Sequence, residues 1–197
     1  MSWSEAWEEG RTPWDAGESA PALRRLVDEQ RLPQGRALVP GCGSGYDVAT
    51  LASANRRVVG LDLASGAAER CESVRREAGV SASWVEFVVD DFFTFAPGEP
   101  FDLVWDYTFL CAIEPGRRRE WARRMGQLLR PGGMLATLIF PVAPAGEGPE
   151  SGPPYRLTPA AVWELVDGAF ETVELRPAHV SLPERRGMEW VGMFRKA

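Results

Sequence analysis

Three glycines at alternate positions, Gly41, Gly43 and Gly45, form the stretch of the chain best suited to holding a ligand. They follow the short apolar run 37–39 and precede a pattern typical of a helix that begins near residue 46. Glycine lets the backbone turn sharply and lets a ligand approach the peptide groups. A helix that begins at such a turn presents unpaired N–H groups to an anion. The pattern predicts a cofactor-binding loop, and the alternative is a tight turn without a ligand.

Carboxylates follow the next two apolar runs, where a nucleotide-type cofactor needs hydrogen-bond acceptors. Asp62 follows the run 57–61, and Asp91 with its neighbour Phe92 comes just after the run 84–89. A carboxylate at the tip of the second strand can accept two hydrogen bonds from a ribose diol. A carboxylate after the third strand can accept from an adenine amino group, and the backbone N–H that follows it can donate to the ring.

The glycine spacing distinguishes between two cofactors. The dinucleotide pattern G-x-G-x-x-G would require a third glycine at position 46, which is Tyr46, and the spacing here is G-x-G-x-G. Together with the acidic residues after strands two and three, this spacing favours S-adenosylmethionine (SAM) over NAD. Two other classes stay open at this point: an NAD-dependent oxidoreductase, and a protein that binds SAM without catalysis.

Trp3, Trp7 and Trp14 give residues 1–16 an unusual density of indole rings. Trp3 and Trp7 are one helical turn apart and therefore share a helix face. A well-placed indole ring attracts a sulfonium cation by about 0.5–2 kcal/mol. From these residues alone, 1–16 could form either an N-terminal lid over a cofactor or a hydrophobic flap packed on the core, and both interpretations stay open at this point.

The bulk composition argues against several classes of protein. A formal net charge of −6 argues against nucleic acid as a partner, because phosphate contacts need a basic face. The basic cluster Arg117-Arg118-Arg119 with Arg123 and Arg124 is interpreted as the solvated face of a helix. No apolar run approaches the length of a membrane span, and the acidic N-terminus has no apolar signal core. We therefore expect a cytoplasmic protein without a membrane partner.

Three cysteines without a C-x-x-C pair and a single histidine restrict the chemistry further. A structural metal site or a disulfide framework is not expected from this pattern. A nucleophile activated by histidine would have to use His179, in the C-terminal third of the chain. Cys111 lies on an apolar segment and is interpreted as a core residue, with a nucleophile as the alternative.

Strands alternate with helices along the chain, and the last two strands follow one another closely. This order predicts an α/β fold, a three-layer sandwich with a seven-stranded sheet whose last strand is antiparallel. The length suggests a single domain over residues 1–197, and a monomer is the default expectation. The segment 141–155, rich in Pro and Gly over most of its length, is long enough to be functional and ends at Tyr155.

Nearly the whole chain resembles the thiopurine methyltransferase family, and it is most similar to the thiol and halide (thiocyanate) methyltransferases of plants and bacteria. The most specific matches are the Trp-rich leader 7–15 and the segment Cys111-Ala112-Ile113-Glu114-Pro115. Residues 37–45, 59–62, 91–94, 101–103, 106–107 and 152–155 match as well. The resemblance implies a Rossmann-like, class I SAM-dependent methyltransferase. Two departures are Tyr46, where plant members tend to carry His, and a longer 141–151 segment.

The resemblance also implies that residues 1–16 fold over SAM as an N-terminal lid, and it implies roles for individual residues. Residues expected to bind the cofactor are Trp3, Trp7, Trp14, Gly41, Gly43, Asp62, Asp91, Phe92, Asp106 and Tyr107. Residues expected to line a small, mostly apolar acceptor pocket are Trp14, Thr108, Phe109, Cys111 and Tyr155. Tyr155 and Tyr107 are the candidates for a catalytic role. A phenol with its ordinary pKa near 10 would need strong tuning to act as an acid or base.

Methyl transfer from SAM needs little proton chemistry when the acceptor is already an anion. We expect direct in-line displacement onto a small anionic or sulfur nucleophile such as halide, thiocyanate, bisulfide or a thiol, with S-adenosylhomocysteine as product. The enzyme can act by positioning, which supplies about 7–11 kcal/mol, and by excluding water. A thiopurine or aromatic thiol is the alternative acceptor.

Overall fold

The computed structural model describes residues 3–142 and 152–197, which fall into two compact units, one up to Gly98 and one from Glu99. Seven strands form one mixed sheet in the order β3-β2-β1-β4-β5-β7-β6. This arrangement confirms the predicted α/β fold with an antiparallel last strand. That the chain works as one methyltransferase domain stays a prediction.

The first unit carries the glycine loop on three parallel strands. Its elements are α1 (Trp3–Glu8), α2 (Pro21–Asp28), β1 (Gly35–Pro40), α3 (Tyr46–Leu51), β2 (Arg56–Asp62), α4 (Ser65–Glu77) and β3 (Val85–Val89). β1 pairs with β2 and β2 pairs with β3, both in parallel register. Parallel strands bring their carboxyl ends to one edge, so Pro40 lies opposite Leu61, and Asp62 lies opposite Val89.

Buried apolar strands and one buried cation hold this edge in place. Ala37, Leu38 and Val39 of β1 are at most 4% exposed, as expected for a strand covered on both faces. The buried Arg56 guanidinium donates to the carbonyl oxygens of Pro33 (2.9 Å), Leu51 and Leu32 (both 3.1 Å). These bonds join the end of α3 to the connection that enters β1. They also satisfy the buried N–H groups of the guanidinium.

The second unit contains the antiparallel part of the sheet. Its elements are β4 (Phe101–Tyr107), α5 (Arg118–Leu128), β5 (Leu129–Ile139), α6 (Pro159–Val166), β6 (Phe170–Pro177) and β7 (Trp190–Lys196). β4 and β5 are parallel, and β7 lies antiparallel between β5 and β6. β4 ends at Tyr107, which lies opposite Leu138, and therefore delivers the segment 108–115 at the carboxyl end of the strand.

The boundary between α5 and β5 lies before Pro131-Gly132-Gly133, although Pro and Gly residues are typical of the end of a helix and not of the interior of a strand. In the structure the helix ends at Leu128 and the strand already begins at Leu129. The pairing with β4 shifts between Phe101–Leu129 and Leu103–Met134. A Cβ at Gly133 would lie 2.9 Å from the Arg130 carbonyl oxygen, so this glycine lets the chain fold back on itself within the strand.

Part of the segment 141–155, which we predict to form a loop on the acceptor side, lies outside the described residues. Residues 143–151 are not among them, and neither are the first two residues of the predicted lid. Val142 is hydrogen-bonded from its N–H to the Met188 carbonyl, and Leu157 to that of Pro141, both at 2.9 Å. None of the helices in the described ranges is long and apolar enough to cross a bilayer.

Candidate active site

The glycine loop adopts the backbone that its composition predicts. Gly41, Gly43 and Gly45 all have positive φ, at 58°, 52° and 78°, and Gly45 forms the N-cap of α3. At Gly45 a side chain is excluded twice, by the left-handed backbone and by space. A Cβ there would lie 2.6 Å from the Cys71 sulfur and 3.1 Å from its Cα. The loop therefore packs directly on α4.

Asp62 and the glycine loop are joined by hydrogen bonds. The Gly43 N–H donates to Oδ2 and the Ala64 N–H to Oδ1, each at 3.0 Å. Burial raises the pKa of Asp62, and these backbone N–H groups lower it in part. A carboxylate has about four acceptor directions. Asp62 therefore supports the loop and retains the capacity to accept from a diol.

Asp91 and Phe92 form a turn directly after β3. The Phe93 N–H donates to Asp91 Oδ1 at 2.9 Å, and the Phe95 N–H donates to the Asp91 carbonyl at 2.7 Å. The Phe92 ring is buried and meets the Phe93 ring edge to face, with centroids 5.2 Å apart. The turn fixes the Asp91 carboxylate and the Phe92 N–H, the two groups predicted to bind an adenine ring.

The three indoles of the leader lie together, and Trp7 packs against the glycine loop and the start of α4. The Trp14 ring meets the rings of Trp3 and Trp7 edge to face, at 5.1 and 6.5 Å between centroids. A Cβ at Gly43 would lie 3.9 Å from the Trp7 ring, and one at Gly66 would lie 3.3 Å from Trp7 Cβ. The leader thus packs on this unit, as the flap interpretation requires. Its role as a lid over the cofactor stays a prediction.

Hydrogen bonds also tie the leader and the helix that follows it to this region. The Ser44 hydroxyl donates to Asp15 Oδ2, and the Gly17 N–H donates to Oδ1 at 2.8 Å. The Ser19 hydroxyl donates to the Asp47 carboxylate at 2.7 Å at the start of α3. The leader and the start of α2 are therefore hydrogen-bonded to the glycine loop and to α3.

These features fit SAM. A Cβ added at Gly43 would meet a single described atom within 4 Å, on the Trp7 ring, so the peptide surface there is open to a ligand. Asp62 and Asp91 lie at the ends of neighbouring parallel strands, which is where a ribose and an adenine need acceptors. The assignment of the cofactor contacts in this unit to the residues named from the sequence stays a prediction: Trp3, Trp7, Trp14, Gly41, Gly43, Asp62, Asp91 and Phe92.

Asp106 of the second unit is a buried support for the segment that follows β4. Its side chain is 1% exposed, and it accepts from the Leu110 N–H at 3.2 Å and from the Trp121 indole N–H at 2.9 Å. Burial raises its pKa to about 6, although these hydrogen bonds lower it in part. Asp106 joins the turn at 108–112 to α5. Its predicted contact with the cofactor stays a prediction.

The raised pKa of Asp106 predicts a pH-dependent stability. The folded pKa of about 6 exceeds the ordinary value of 3.8, so the contribution to stability is fully present below pH 3.8 and is lost as the pH rises through 6. Between pH 4.5 and 7.5 this loss amounts to about 2 kcal/mol. An asparagine at this position cannot titrate, so Asp106→Asn does not lose this stability. The unfolding free energy of the variant, relative to that of the wild type, should therefore rise by about 2 kcal/mol between pH 4.5 and 7.5.

Urea denaturation of both proteins at several pH values measures this difference. Glu114→Gln, at an exposed position, is the control for removing a negative charge near the same segment. A difference between Asp106→Asn and the wild type that stays constant from pH 4.5 to 7.5 would show that Asp106 does not titrate as described.

Thr108, Cys111 and Tyr155 lie in one cluster. Thr108 has a positive φ of 59°, and its backbone carbonyl accepts from the Cys111 thiol at 3.3 Å. The Tyr155 N–H donates to the Cys111 carbonyl at 2.6 Å, and Phe109 precedes the short 3-10 helix Leu110–Ala112. Burial raises the pKa of Cys111 to about 12, so it stays a thiol at neutral pH. This supports the interpretation of Cys111 as a wall residue and not a nucleophile.

Tyr107 is held as a neutral phenol. Its hydroxyl donates to Glu189 Oε1 at 2.6 Å and accepts from Arg185 Nη1. Burial and the neighbouring Glu189 carboxylate raise its pKa well above its ordinary value. Tyr107 is therefore not equipped to act as a base, and any catalytic role would use its hydrogen bonds.

Two buried arginines in the second unit were missed from the sequence. Arg118 was assigned to a solvated helix face, and this was wrong: its residue is 9% exposed, and its Nε has no hydrogen-bond partner among the described residues. Arg185 is 8% exposed, and its guanidinium lies over the rings of Phe140 and Tyr107, 4.8 and 5.2 Å from their centroids. Burial and the Asp106 carboxylate raise the pKa of Cys111, and the charges of Arg185 and Arg118 lower it in part, so both guanidinium groups lie near this thiol.

No local signal in the sequence separates Arg118 from Arg117 and Arg119, because all three follow the same Pro-Gly dipeptide. Arg118 lies at the first position of α5 and turns inward, and its Nη2 donates to the Arg156 carbonyl at 3.4 Å. Burial lowers the pKa of Arg118. Arg118 and Arg185 thus place two buried cations near the Cys111 thiol, together with the buried Asp106 and Glu189 carboxylates.

The fold and these residues together define a class I SAM-dependent methyltransferase. An N-methyltransferase of Bradyrhizobium japonicum, NodS, solved in complex with S-adenosylhomocysteine, has the same fold with a TM-score of 0.73. It is 18% identical, and the similarity covers 98% of this chain and 97% of NodS.

The chain belongs to the thiopurine S-methyltransferase family, whose profile matches residues 1–195. It is 44% identical over 197 residues to the probable thiol methyltransferase 2 of Arabidopsis thaliana, covering 99% of this chain and 84% of that protein. It is 42% identical over 195 residues to thiocyanate methyltransferase 1 of Brassica oleracea, covering 98% and 84%. The family, the cofactor SAM and the methyltransferase activity predicted from the sequence are thereby confirmed.

Proposed function

We propose that this methyltransferase acts on a small anionic or sulfur nucleophile, namely thiocyanate, bisulfide, a thiol or a halide. The observation that carries the proposal is the pair of buried cations, Arg118 and Arg185, near Cys111. The names of the plant relatives support it, since these proteins are a thiol and a thiocyanate methyltransferase.

Burying two guanidinium groups in one region is costly unless each gains a compensating charge. Glu189 supplies one negative charge there, through Tyr107. Asp106, whose charge also acts on Cys111, supplies a second one, and an anionic acceptor adds to these when it binds near the arginines. Arg118 Nε, buried without a partner among the described residues, gains a hydrogen-bond acceptor at that moment.

SAM supplies an electrophilic methyl group on a sulfonium sulfur, and we propose that the acceptor attacks it in line. The protein's part is to orient the acceptor and to remove its water. Arg118 and Arg185 bind its charge, while Thr108, Phe109, Cys111 and Tyr155 form the apolar wall. A desolvated anion is a better nucleophile, so this wall contributes to rate as well as to binding.

No general base is required in this scheme. At neutral pH Cys111 stays a thiol and Tyr107 stays a phenol, so neither removes a proton. An acceptor that arrives as an anion needs none. The proposed roles of Tyr155 and Tyr107 are therefore contacts with acceptor and cofactor, and not proton transfer.

A thiopurine is the second candidate acceptor, because it is the substrate in the name of the family whose profile matches the chain. A thiopurine is an aromatic thiol that is far larger than bisulfide or thiocyanate. The arginine pair would serve its thiolate as well, so size is the property that distinguishes the two candidates.

A turnover assay against a panel of acceptors tests the proposal. The panel contains iodide, bromide, chloride, thiocyanate, bisulfide, a small aliphatic thiol and a thiopurine. We expect kcat/KM for thiocyanate or bisulfide to exceed that for the thiopurine by about tenfold or more, which corresponds to a difference of at least about 1.4 kcal/mol in activation free energy. The reverse order would make the protein a thiopurine S-methyltransferase in activity as well as in family.

We further propose a monomer that works in the cytoplasm as one domain. The three cysteines of the described chain are free thiols, which is typical of proteins in a reducing compartment. Size-exclusion chromatography of the purified chain with and without SAM measures the oligomeric state.

A further inference from the structure

Glu189 is a buried carboxylate that the proposed transfer does not itself use. It lies directly before β7, is 2% exposed, and accepts hydrogen bonds from Tyr107 and Ser181. Its other oxygen, Oε2, is buried without a hydrogen-bond partner among the described residues. Burying a carboxylate oxygen without a hydrogen bond costs free energy, so the contacts that Glu189 does make need an explanation.

The hydrogen bonds around Tyr107 run in one direction. The phenol proton points to Glu189 Oε1, so the oxygen lone pairs are left to accept from Arg185 Nη1. Without Glu189 the hydroxyl can rotate and direct its proton toward Arg185. The carboxylate thus determines which side of the Tyr107 oxygen the guanidinium meets.

Ring contacts restrict the same guanidinium from the side. Arg185 lies over Tyr107 and Phe140, whose own rings are 6.4 Å apart and inclined by 64°. Stacking leaves a guanidinium free to turn in its plane, while the bond to the Tyr107 oxygen fixes that rotation. The two kinds of contact together define one orientation.

The backbone that carries both groups is itself held. The Met188 N–H donates to the Arg185 carbonyl at 3.0 Å, and the Ala178 N–H donates to the Glu189 carbonyl at 2.9 Å. A change at the Glu189 side chain is therefore transmitted through Tyr107 and not through movement of the segment 185–189.

We propose that Glu189 is a positioning residue for the methyl acceptor. Through the hydroxyl of Tyr107 it orients the Arg185 guanidinium that binds the acceptor's charge. This inference rests on the proposed function, in which Arg185 binds an anionic acceptor. Glu189 touches neither acceptor nor cofactor in this scheme.

Glu189→Gln is the test, because it keeps the shape and can accept from Tyr107, but its amide also donates and so competes with Arg185. We expect KM for thiocyanate or bisulfide to rise about tenfold, which corresponds in free energy to the loss of one charge-assisted hydrogen bond to the acceptor. We expect kcat and the Kd for SAM to change by less than about twofold. Glu184→Gln, an exposed neighbour with the same charge change, is the matched control and should leave all three constants unchanged.

Tyr107→Phe keeps the ring under Arg185 and removes the hydroxyl that joins the two charges. It should reproduce the KM increase, and the double variant with Glu189→Gln should be no worse than Tyr107→Phe alone. Additive effects of the two changes would overturn the proposal, because independent structural roles add. If Glu189→Gln does not fold, Tyr107→Phe still tests whether the hydroxyl orients Arg185.

Two further results separate this inference from the proposed function. If Arg185→Gln raises KM for the acceptor and Glu189→Gln does not, the positioning role is overturned and the proposed function stands. If neither variant changes acceptor KM, the arginine site itself is wrong. A Glu189→Gln variant that weakens SAM binding instead would assign the Tyr107 hydroxyl to the cofactor and overturn the proposal.

Discussion

Replacing Asp62 with alanine is expected to weaken SAM binding by about a hundredfold or more. The carboxylate accepts from the N–H groups of Gly43 and Ala64, each at 3.0 Å, and it is the predicted acceptor for two ribose hydroxyls. Hydrogen bonds to a charged group contribute about 1.5–3 kcal/mol each. Losing two of them corresponds to a hundredfold or larger change in Kd, since about 1.4 kcal/mol is tenfold.

Asp62→Asn separates binding from stability. Burial raises the pKa of Asp62 in the folded protein, so the ionised carboxylate costs stability at neutral pH and a neutral amide does not carry that cost. We therefore expect Asp62→Asn to remain folded and to bind SAM more weakly than wild type, with Asp62→Ala weaker still.

Isothermal titration with SAM and with S-adenosylhomocysteine gives the Kd values, and thermal unfolding without ligand reports the fold. Glu86→Gln is the matched control, because Glu86 is exposed on the neighbouring strand β3 and its substitution removes the same charge. A folded Asp62→Ala protein that binds SAM within about threefold of wild type would show that the ribose contact lies elsewhere.

The first unit could be predicted well because its site follows from chain order. Gly43 and Asp62 are far apart in sequence, but Gly43 comes shortly after β1 and Asp62 ends β2, and parallel pairing brings these two strand ends together. A glycine and an aspartate at the carboxyl ends of two neighbouring parallel strands can therefore be predicted to lie close together. The indole cluster could be anticipated in the same way, from helical spacing between Trp3 and Trp7.

The second unit could be predicted less well because its site depends on contacts that local sequence does not encode. Arg118 is one of three consecutive arginines, and only the packing of α5 determines which one turns inward. Glu189 and Arg185 meet Tyr107 about eighty positions away in the chain. A charged residue is normally exposed, so composition gives no reason to expect a buried network there.

Arg185→Gln is the second change with a large expected effect. It should lower kcat/KM for thiocyanate or bisulfide by about a hundredfold while leaving the Kd for SAM within about twofold. The physical reason is the loss of a buried positive charge, near the Cys111 thiol, that binds the acceptor's negative charge. Steady-state kinetics with saturating SAM measures the first quantity, and titration measures the second. Arg186→Gln, the exposed neighbour, is the control.

The same substitution leaves Glu189 buried without its cation, which is itself strongly destabilising. Arg185→Gln alone should therefore unfold at lower temperature than wild type, and a loss of activity could be confused with a loss of fold. The double variant Arg185→Gln/Glu189→Gln removes both charges together and should recover most of the stability. It should not recover acceptor turnover, because the missing cation is what the acceptor needs. Recovery of both would mean that Arg185 supports the fold and that the acceptor's charge is bound elsewhere.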